Sequence, residues 1–422
     1  DKPELILTVT GPDGNEVTEL PGLTHKVVQD RENKSISGFD VTTTNGLITI
    51  ANKKTITATT DAKEEQYTLK LTFVNYEGDQ TANASSGLSA KVMIQKESMV
   101  NSLASYITNL YTGTQGENGI YYHDSNLTNG AGDNSYRFAG ANPNNYVCFG
   151  SDEATCPNEN LYRIIGVIDG KVKLIHAYGA TTDMLGTDEG YVSTYGSAPS
   201  YKGNGDLTKI GRYKWNKANN NTWSTSTTNT INLNTNYLTY LDSKNTKWKT
   251  MIADTTWYVG GITYNNGQKS NAKTAYNYEV GANKDATTTV TSKIGLMYLS
   301  DYYYGATPDY WTLPGFDNNG SWNSDHTVWS GSGNDYSKAY NNNWMSTGLI
   351  EWTISRDSDI SNLAFYVGDV GDVGVGNSRG YAVRPSFSLS SSIKFTSGEG
   401  TAVNPIRIKL WWGDYACLGR KG

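Results

Sequence analysis

Five carboxylates, Glu351, Asp357, Asp359, Asp369 and Asp372, fall within the stretch EWTISRDSDISNLAFYVGDVGDVGVGNSRGYAVRPSFSL, Glu351 to Leu389. Side chains of this type support three kinds of chemistry. Two carboxyl groups about 5–10 Å apart cleave a glycosidic bond, one as acid and the other as base or nucleophile. Several on neighbouring loops hold Ca²⁺ through oxygen. Mixed with Ser, Asn, Tyr and Gly, they form an adaptable contact surface whose rigid rings supply area and whose small polar groups supply hydrogen bonds. The third fits the segment best: from Ser355 to Arg379 the chain uses Asp, Ser, Asn, Gly, Tyr, Arg and apolar residues, and no Lys, Glu, Gln, Trp or Met. Hydrolysis and a Ca²⁺ site stay as minor alternatives.

Other catalytic patterns fail. The sequence holds no HExxH, Walker A loop, EF-hand loop or nucleophile elbow with a matching acid and histidine. The glycines at 368, 371, 374 and 376 resemble a dinucleotide loop only superficially, because Arg379 stands where the last glycine belongs and no βαβ unit surrounds it. His123 and His176 lack ligand spacing, and all four histidines read as structural or surface residues. Of three cysteines, Cys148 and Cys156 flank FGSDEAT. A disulfide there closes a short polar loop and stabilises by about 2.5 kcal/mol in an oxidising compartment, two reduced thiols being the alternative.

The elements around the segment must hold it still. EWTIS with Trp352 and Ile354, LAFYV with Leu363, Phe365 and Val367, and YAVRPSFSL with Tyr381, Val383, Phe387 and Leu389 all alternate as strands. Arg384, inside the last of these, needs a carboxylate or backbone carbonyls if buried. Pro385 puts part of that strand at an edge or bulge.

The remaining chain reads as two domains. Residues 1–96 alternate in LILTV, QYTLKLTFV and AKVMIQK, with a tight turn at Asn45-Gly46, as an immunoglobulin-like sandwich would. From residue 97, Met99, Val100, Leu103, Tyr106, Ile107 and Leu110 recur at helical spacing before Gly113, so a core-packing helix opens a second domain reaching residue 410. LYRIIGVIDGKVKLIHAYG predicts a hairpin turning at Asp169-Gly170, and ADTTWYVGG and KIGLMYLSDYYYG read as strands. NKANNNTWSTSTTNTINLNTN exceeds the length usual for a structureless loop. Trp215, Trp223, Trp248 and Trp257 are expected to be its buried anchors or those of nearby loops. Residues 411–422, with Cys417, form a tail.

A net charge of −6 and a pI near 5.4, with no long Lys/Arg run, argue against nucleic acid. No stretch approaches the ~20 apolar residues of a membrane span, and no signal peptide precedes Asp1, so a processed or trimmed ectodomain is expected.

NGIYYHD, AGDNSYRFAGANPNNYVCFGSDEATCPNENLYRIIGVIDGKVKLI, ADTTWYVGG, KIGLMYLSDYYYGA, GLIEWTISRDSD and YAVRPSFSLSSSIKFTSGEGTAVNPIRI resemble a family of surface proteins from gut Firmicutes and wall-less relatives, over roughly residues 100–410. That family is similar in turn to bacterial domains of the C-type-lectin fold, related to the formylglycine-generating-enzyme group. In those domains a Trp-containing strand leads to a diversified segment and a VRP strand closes the fold. The segment looks like the variable region of proteins diversified by retroelements that mutate adenines. Asn codons of the AAY kind change in that way to Asp, Gly, Val, Ser, Tyr or Arg, and not to Lys, Glu, Gln, Trp or Met. No catalytic cysteine pair of the enzymatic relatives is recognisable.

The expectation is therefore a mostly β chain with some α, an immunoglobulin-like module followed by a C-type-lectin-like α+β domain with long loops. It would be extracellular, non-enzymatic and adhesin- or receptor-like, binding a protein or glycan on a cell, phage or host surface. Ligand contacts fall on Ser355, Arg356, Asp357, Asp359, Tyr366, Asp369, Asp372, Asn377 and Ser378, above a platform of Trp352, Tyr381 and Arg384. A structural subunit of a filament or surface layer is the alternative, and a glycan hydrolase the third.

Overall fold

The computed structural model describes residues 4–10, 14, 23–25, 42–43, 66, 68–74, 102–314, 339–377 and 379–410. The chain divides into two compact units, Asp1–Glu97 and Ser98–Gly422. Among the described residues strand outweighs helix, 28% against 23%, so the architecture is mostly β with some helix. Among the described residues no helix is long and apolar enough to cross a membrane.

In the first unit, β1 (Glu4–Thr10), β2 (Leu23–His25), β3 (Thr42–Thr43) and β4 (Thr68–Val74) form two antiparallel pairs, β1 with β4 and β2 with β3. The β1–β4 register sets Leu5 opposite Phe73, Leu7 opposite Leu71 and Val9 opposite Leu69. The expected Asn45-Gly46 turn and the AKVMIQK strand lie outside the described residues.

The second unit opens with α1 (Leu103–Asn109), capped by Ser102, whose Oγ accepts from the Ser105 amide at 3.0 Å. Leu103 and Ile107, one turn apart, are fully buried, and Tyr106 stacks on Phe395 with centroids 3.8 Å apart. The expected Met99 and Val100 turn lies outside the described residues.

Behind α1 come β5 (Ile120–His123), β6 (Ser135–Phe138), β7 (Tyr146–Cys148), β8 (Leu161–Ile168) and β9 (Lys171–His176). The β8–β9 hairpin turns at Asp169-Gly170, both at positive φ (50° and 72°), as a two-residue hairpin requires. Two smaller pairs follow: β10 (Tyr191–Thr194) with β11 (Gly211–Tyr213), and β12 (Thr255–Tyr258) with β13 (Thr289–Ser292). Then come β14 (Glu351–Arg356), β15 (Ala364–Val367) and β16 (Val373–Gly376), which form one sheet. Last are β17 (Ser386–Ser388) and the β18 (Ile393–Ser397) with β19 (Arg407–Leu410) hairpin. The main sheet runs β17-β9-β8-β6-β5, and β7 also pairs with β8. Cys148 and Cys156 are joined by a disulfide that closes the loop between β7 and β8. Cys417 lies outside the described residues.

Three expectations are corrected. KIGLMYLSDYYYG is not a strand: its second half is a helix, Leu299–Tyr304. Its first turn is held by carboxylates, because Glu279 accepts from the Leu299 and Ser300 amides (3.0 and 2.8 Å) and Asp301 from the Tyr298 amide (2.9 Å). Asp301 in turn meets Lys173 of β9 at 2.5 Å and Arg137 of β6 at 3.3 Å, which ties the helix to the main sheet. The Asn/Thr-rich stretch after Trp215 is also not all loop, since Thr228–Tyr237 is a wide helix continuing into Leu238–Lys244. Its Thr and Asn residues have poor helix propensity, and buried Asn232, Leu233 and Tyr237 supply the stability instead. YAVRPSFSL pairs as a regular strand only over Ser386–Ser388, and it is the edge of its sheet, where Pro385 removes a donor at least cost. Trp215, Trp223, Trp248 and Trp257 are all buried, as expected of anchors.

Candidate functional site

The β14–β15–β16 sheet carries the segment. Its register pairs Trp352 with Tyr366, Phe365 with Val375 and Tyr366 with Gly374. Side chains alternate across a strand, so Phe365, Val367 and Val373 turn one way and are 1% exposed or less, packed among Leu299, Tyr302 and Tyr303. Tyr366 turns the other way with Gly374 and Gly376. A Cβ on Gly374 would sit 2.3 Å from Tyr366 Cζ, so the bare glycine lets the ring lie across β16. Tyr366 also meets Tyr381 at 4.8 Å and Trp352 at 6.3 Å between centroids, and Trp352 donates its indole N–H to the Tyr213 carbonyl at 2.7 Å. Trp352 and Tyr381 are buried, and Tyr366 alone of the three is half-buried. Trp352 and Tyr381 also meet each other, with centroids 4.5 Å apart.

Arg384 lies inside the protein. Its Nε donates to the His176 carbonyl and its Nη1 to the Met345 carbonyl, both at 2.8 Å, and Nη1 pairs with Glu351 at 3.2 Å. Glu351 is equally sealed and also accepts from the Thr347 hydroxyl. Burial raises the Glu351 carboxyl's pKa against the pull of Arg384. This carboxylate is committed to the scaffold.

Of the nine expected contact residues, Asp359 is exposed, and Arg356, Tyr366, Asp369 and Asn377 are half-buried on the surface. Arg356 is anchored on the Val259 carbonyl (3.1 Å) and Asn221 Oδ1 (3.4 Å). Ser378 lies outside the described residues. The expectation for Ser355, Asp357 and Asp372 is corrected, because all three side chains have less than a tenth of their surface exposed. Ser355 donates to the buried Glu279 carboxylate and accepts from the Leu299 amide, joining β14 to the Leu299–Tyr304 helix. Asp357 Oδ1 accepts from the Asp359 amide at 2.9 Å, and its side chain is fully buried. Asp372 closes the β15–β16 turn, where its carbonyl accepts from the Gly368 amide at 2.7 Å. Burial, then the charge of Asp369, pushes the Asp372 carboxyl's pKa up to about 6.

The sequence reading missed the strip that supports this face. From β11 onward the chain runs along β14: Tyr213 bridges Tyr381 and accepts from Trp352, and the Trp215 indole donates to the Thr353 carbonyl at 2.9 Å. Asn221 Nδ2 then meets the carbonyls of Asp357, Ile360 and Leu363 at 2.8–2.9 Å. That side chain fixes the turn between β14 and β15, whose Ser358, Asp359, Ile360 and Ser361 are exposed. An Asn-rich stretch gives no local sign of which amide does this.

Among the described residues no cluster of three or more His, Cys, Asp or Glu side chains is placed to hold a metal ion. A polar groove of about 430 Å³ lies between α1 and residues 139–144, and none of its lining residues belongs to the Glu351–Leu389 stretch. No family model, curated protein or solved structure matches the chain.

Proposed function

We propose that this chain is an extracellular bacterial surface protein of the adhesin or receptor kind, without enzymatic activity. In this reading the first unit is an immunoglobulin-like stalk or assembly module. The second is a C-type-lectin-type domain whose diversified face binds a protein or glycan on another surface. One observation carries the proposal. Ten of the 24 described residues between 355 and 379 are built into the core, while the turn at 358–361 and Arg379 stand exposed and Tyr366, Asp369 and Asn377 are half-buried, all on strands and tight turns. Such a division lets contact residues change while the scaffold keeps its shape.

The test is binding by the full chain to a glycan array and to intact bacterial cells, beside a variant carrying Asp359→Ala, Asp369→Ala and Arg379→Ala. Retention of the fold, with a Tm within about 2 °C, together with loss of the captured ligand is the expected outcome. Equal capture by both chains would remove the face from the mechanism. Sedimentation bears on the filament-subunit alternative, which requires concentration-dependent assembly where the receptor reading expects a single chain.

A further inference from the structure

The β10–β11 hairpin lies outside the segment, yet it abuts the segment's end. Arg212 Nε donates to the Gly380 carbonyl at 3.0 Å, and a Cβ on Gly380 would lie 2.8 Å from Val192 and 3.3 Å from Arg212. Gly380 therefore gives the hairpin room to come against the residue that follows Arg379. The Arg212 guanidinium lies 5.5 Å over the Tyr195 ring, and Tyr195 is itself tied to the Ile350 carbonyl at 3.0 Å. Arg379, which is exposed, directly precedes Gly380, so a second guanidinium is carried next to the backbone that Arg212 holds.

Neither guanidinium has a carboxylate within 4.0 Å among the described residues, whereas buried Arg137 and Arg384 do. Val192, next to Gly380, is 44% exposed, and Ile360, on the β14–β15 turn, is 47% exposed. They are two of three large apolar side chains left exposed among the described residues, the third being Val403.

We infer, on the recognition reading above, that the face extends onto β10–β11, where Arg212 and Arg379 take an Asp or Glu carboxylate of a protein partner and Val192 packs an aliphatic side chain next to it. A guanidinium matches a carboxylate in charge and in planar hydrogen-bonding geometry. Protein is favoured over glycan because sugars stack on open ring faces, and here Trp352 and Tyr381 are 1% and 5% exposed while Tyr366 lies across Gly374. Exposed aliphatic side chains suit a protein surface better.

The test pans the full chain against a random dodecapeptide phage library and, in parallel, against a glycan array containing sialic and uronic acids. Selected peptides are expected to carry an acidic residue next to Val, Leu or Ile. Binding of the best synthetic peptide should weaken about tenfold or more in Arg212→Gln. It should weaken less in Arg212→Lys, which keeps the charge and loses only the planar fork, and should weaken as NaCl rises from about 50 to 500 mM. A purely supporting Arg212 would lose as much in Arg212→Lys as in Arg212→Gln, and unchanged Tm values guard against misfolding. Peptides without acidic residues, or acidic peptides indifferent to Arg212→Gln, overturn the extension; if such peptides still respond to Asp359→Ala or Asp369→Ala, the recognition reading survives. Binding on the glycan array alone overturns the protein partner. Silence on both panels overturns the extension and the recognition reading together.

Discussion

Arg384 Nη1 lies 3.2 Å from Glu351 Oε2, and each side chain is 1% exposed. The pair connects β14 to the strand-like run that closes the domain. Removing one partner leaves the other charge buried without compensation, at a cost of about 3–5 kcal/mol. Glu351→Ala should therefore lower the urea midpoint of the second unit far more than Asp359→Ala, which alters an exposed turn. Equal effects of the two would refute the scaffold role of Glu351.

Gly374 and Gly376 offer a matched pair of substitutions on one strand. An added Cβ meets Tyr366 Cζ at 2.3 Å from Gly374 but comes no closer than 3.4 Å to that ring from Gly376. Gly374→Ala should displace the Tyr366 ring and cost about 1–3 kcal/mol, while Gly376→Ala costs little. Thermal denaturation of the two variants checks this, and a Gly374→Ala chain as stable as the original would contradict the packing described.

Stability should fall as pH rises through the titration of Asp372. Its carboxyl's pKa is raised by burial to about 6 from an ordinary 3.8, so between those values the folded chain holds a proton that the unfolded chain has released. Stability supplied by the neutral acid is complete below pH ~4 and is lost by pH ~7, on the order of 3 kcal/mol for a shift of about two units. Asp372→Asn removes this term, so its stability advantage over the unaltered chain should grow from pH 4.5 to pH 7.5. Urea midpoints at the two pH values decide the matter, with Glu279 and Glu351 common to both chains.

Asn221 has partners in three carbonyls of the 357–363 turn. Asn221→Ala takes the side-chain donor from all three, although the Ile360 and Leu363 carbonyls still accept from the Leu363 and Asp357 amides at 3.1 and 2.9 Å, and the loss is about 1–3 kcal/mol. Amide exchange should rise at residues 358–363 and stay unchanged in β8 and β9. Protection that persists at 358–363 would show that other contacts hold the turn.

Reduction of the Cys148–Cys156 disulfide frees a loop with a sequence separation of 8. The chain-entropy model puts the loss at about 2–3 kcal/mol. A melting curve with and without reductant reads it, and an unchanged midpoint would mean that the loop is held by its hydrogen bonds alone.

Strands with local signals were legible in the sequence: β8 and β9 alternate, and their turn needs two residues that tolerate positive φ, which Asp169-Gly170 supplies. The burial of Trp352 and Tyr381 follows from the same alternation. The Leu299–Tyr304 helix was not, because its first amides are satisfied by Glu279, a residue outside the helix. Ser355, Asp357 and Asp372 read as surface residues because their side chains are polar. Only the folded chain shows Ser355 against Glu279, Asp357 turned inward and Asp372 folded under the β15–β16 turn. Asn221 and Arg212 reach the face from far along the chain, and no local pattern marks them.

The Val-Gly-Val-Gly run of β16 has a practical consequence for anyone repurposing this protein as an engineered binder. A combinatorial library that randomises every codon from 355 to 379 would discard most of its clones as unfolded, because positions such as 364, 365, 367, 373 and 374 tolerate few residues. Mutagenesis confined to 358–361, 369, 377 and 379, with 192 and 212 as an optional second tier, would spend its diversity where a target could feel it.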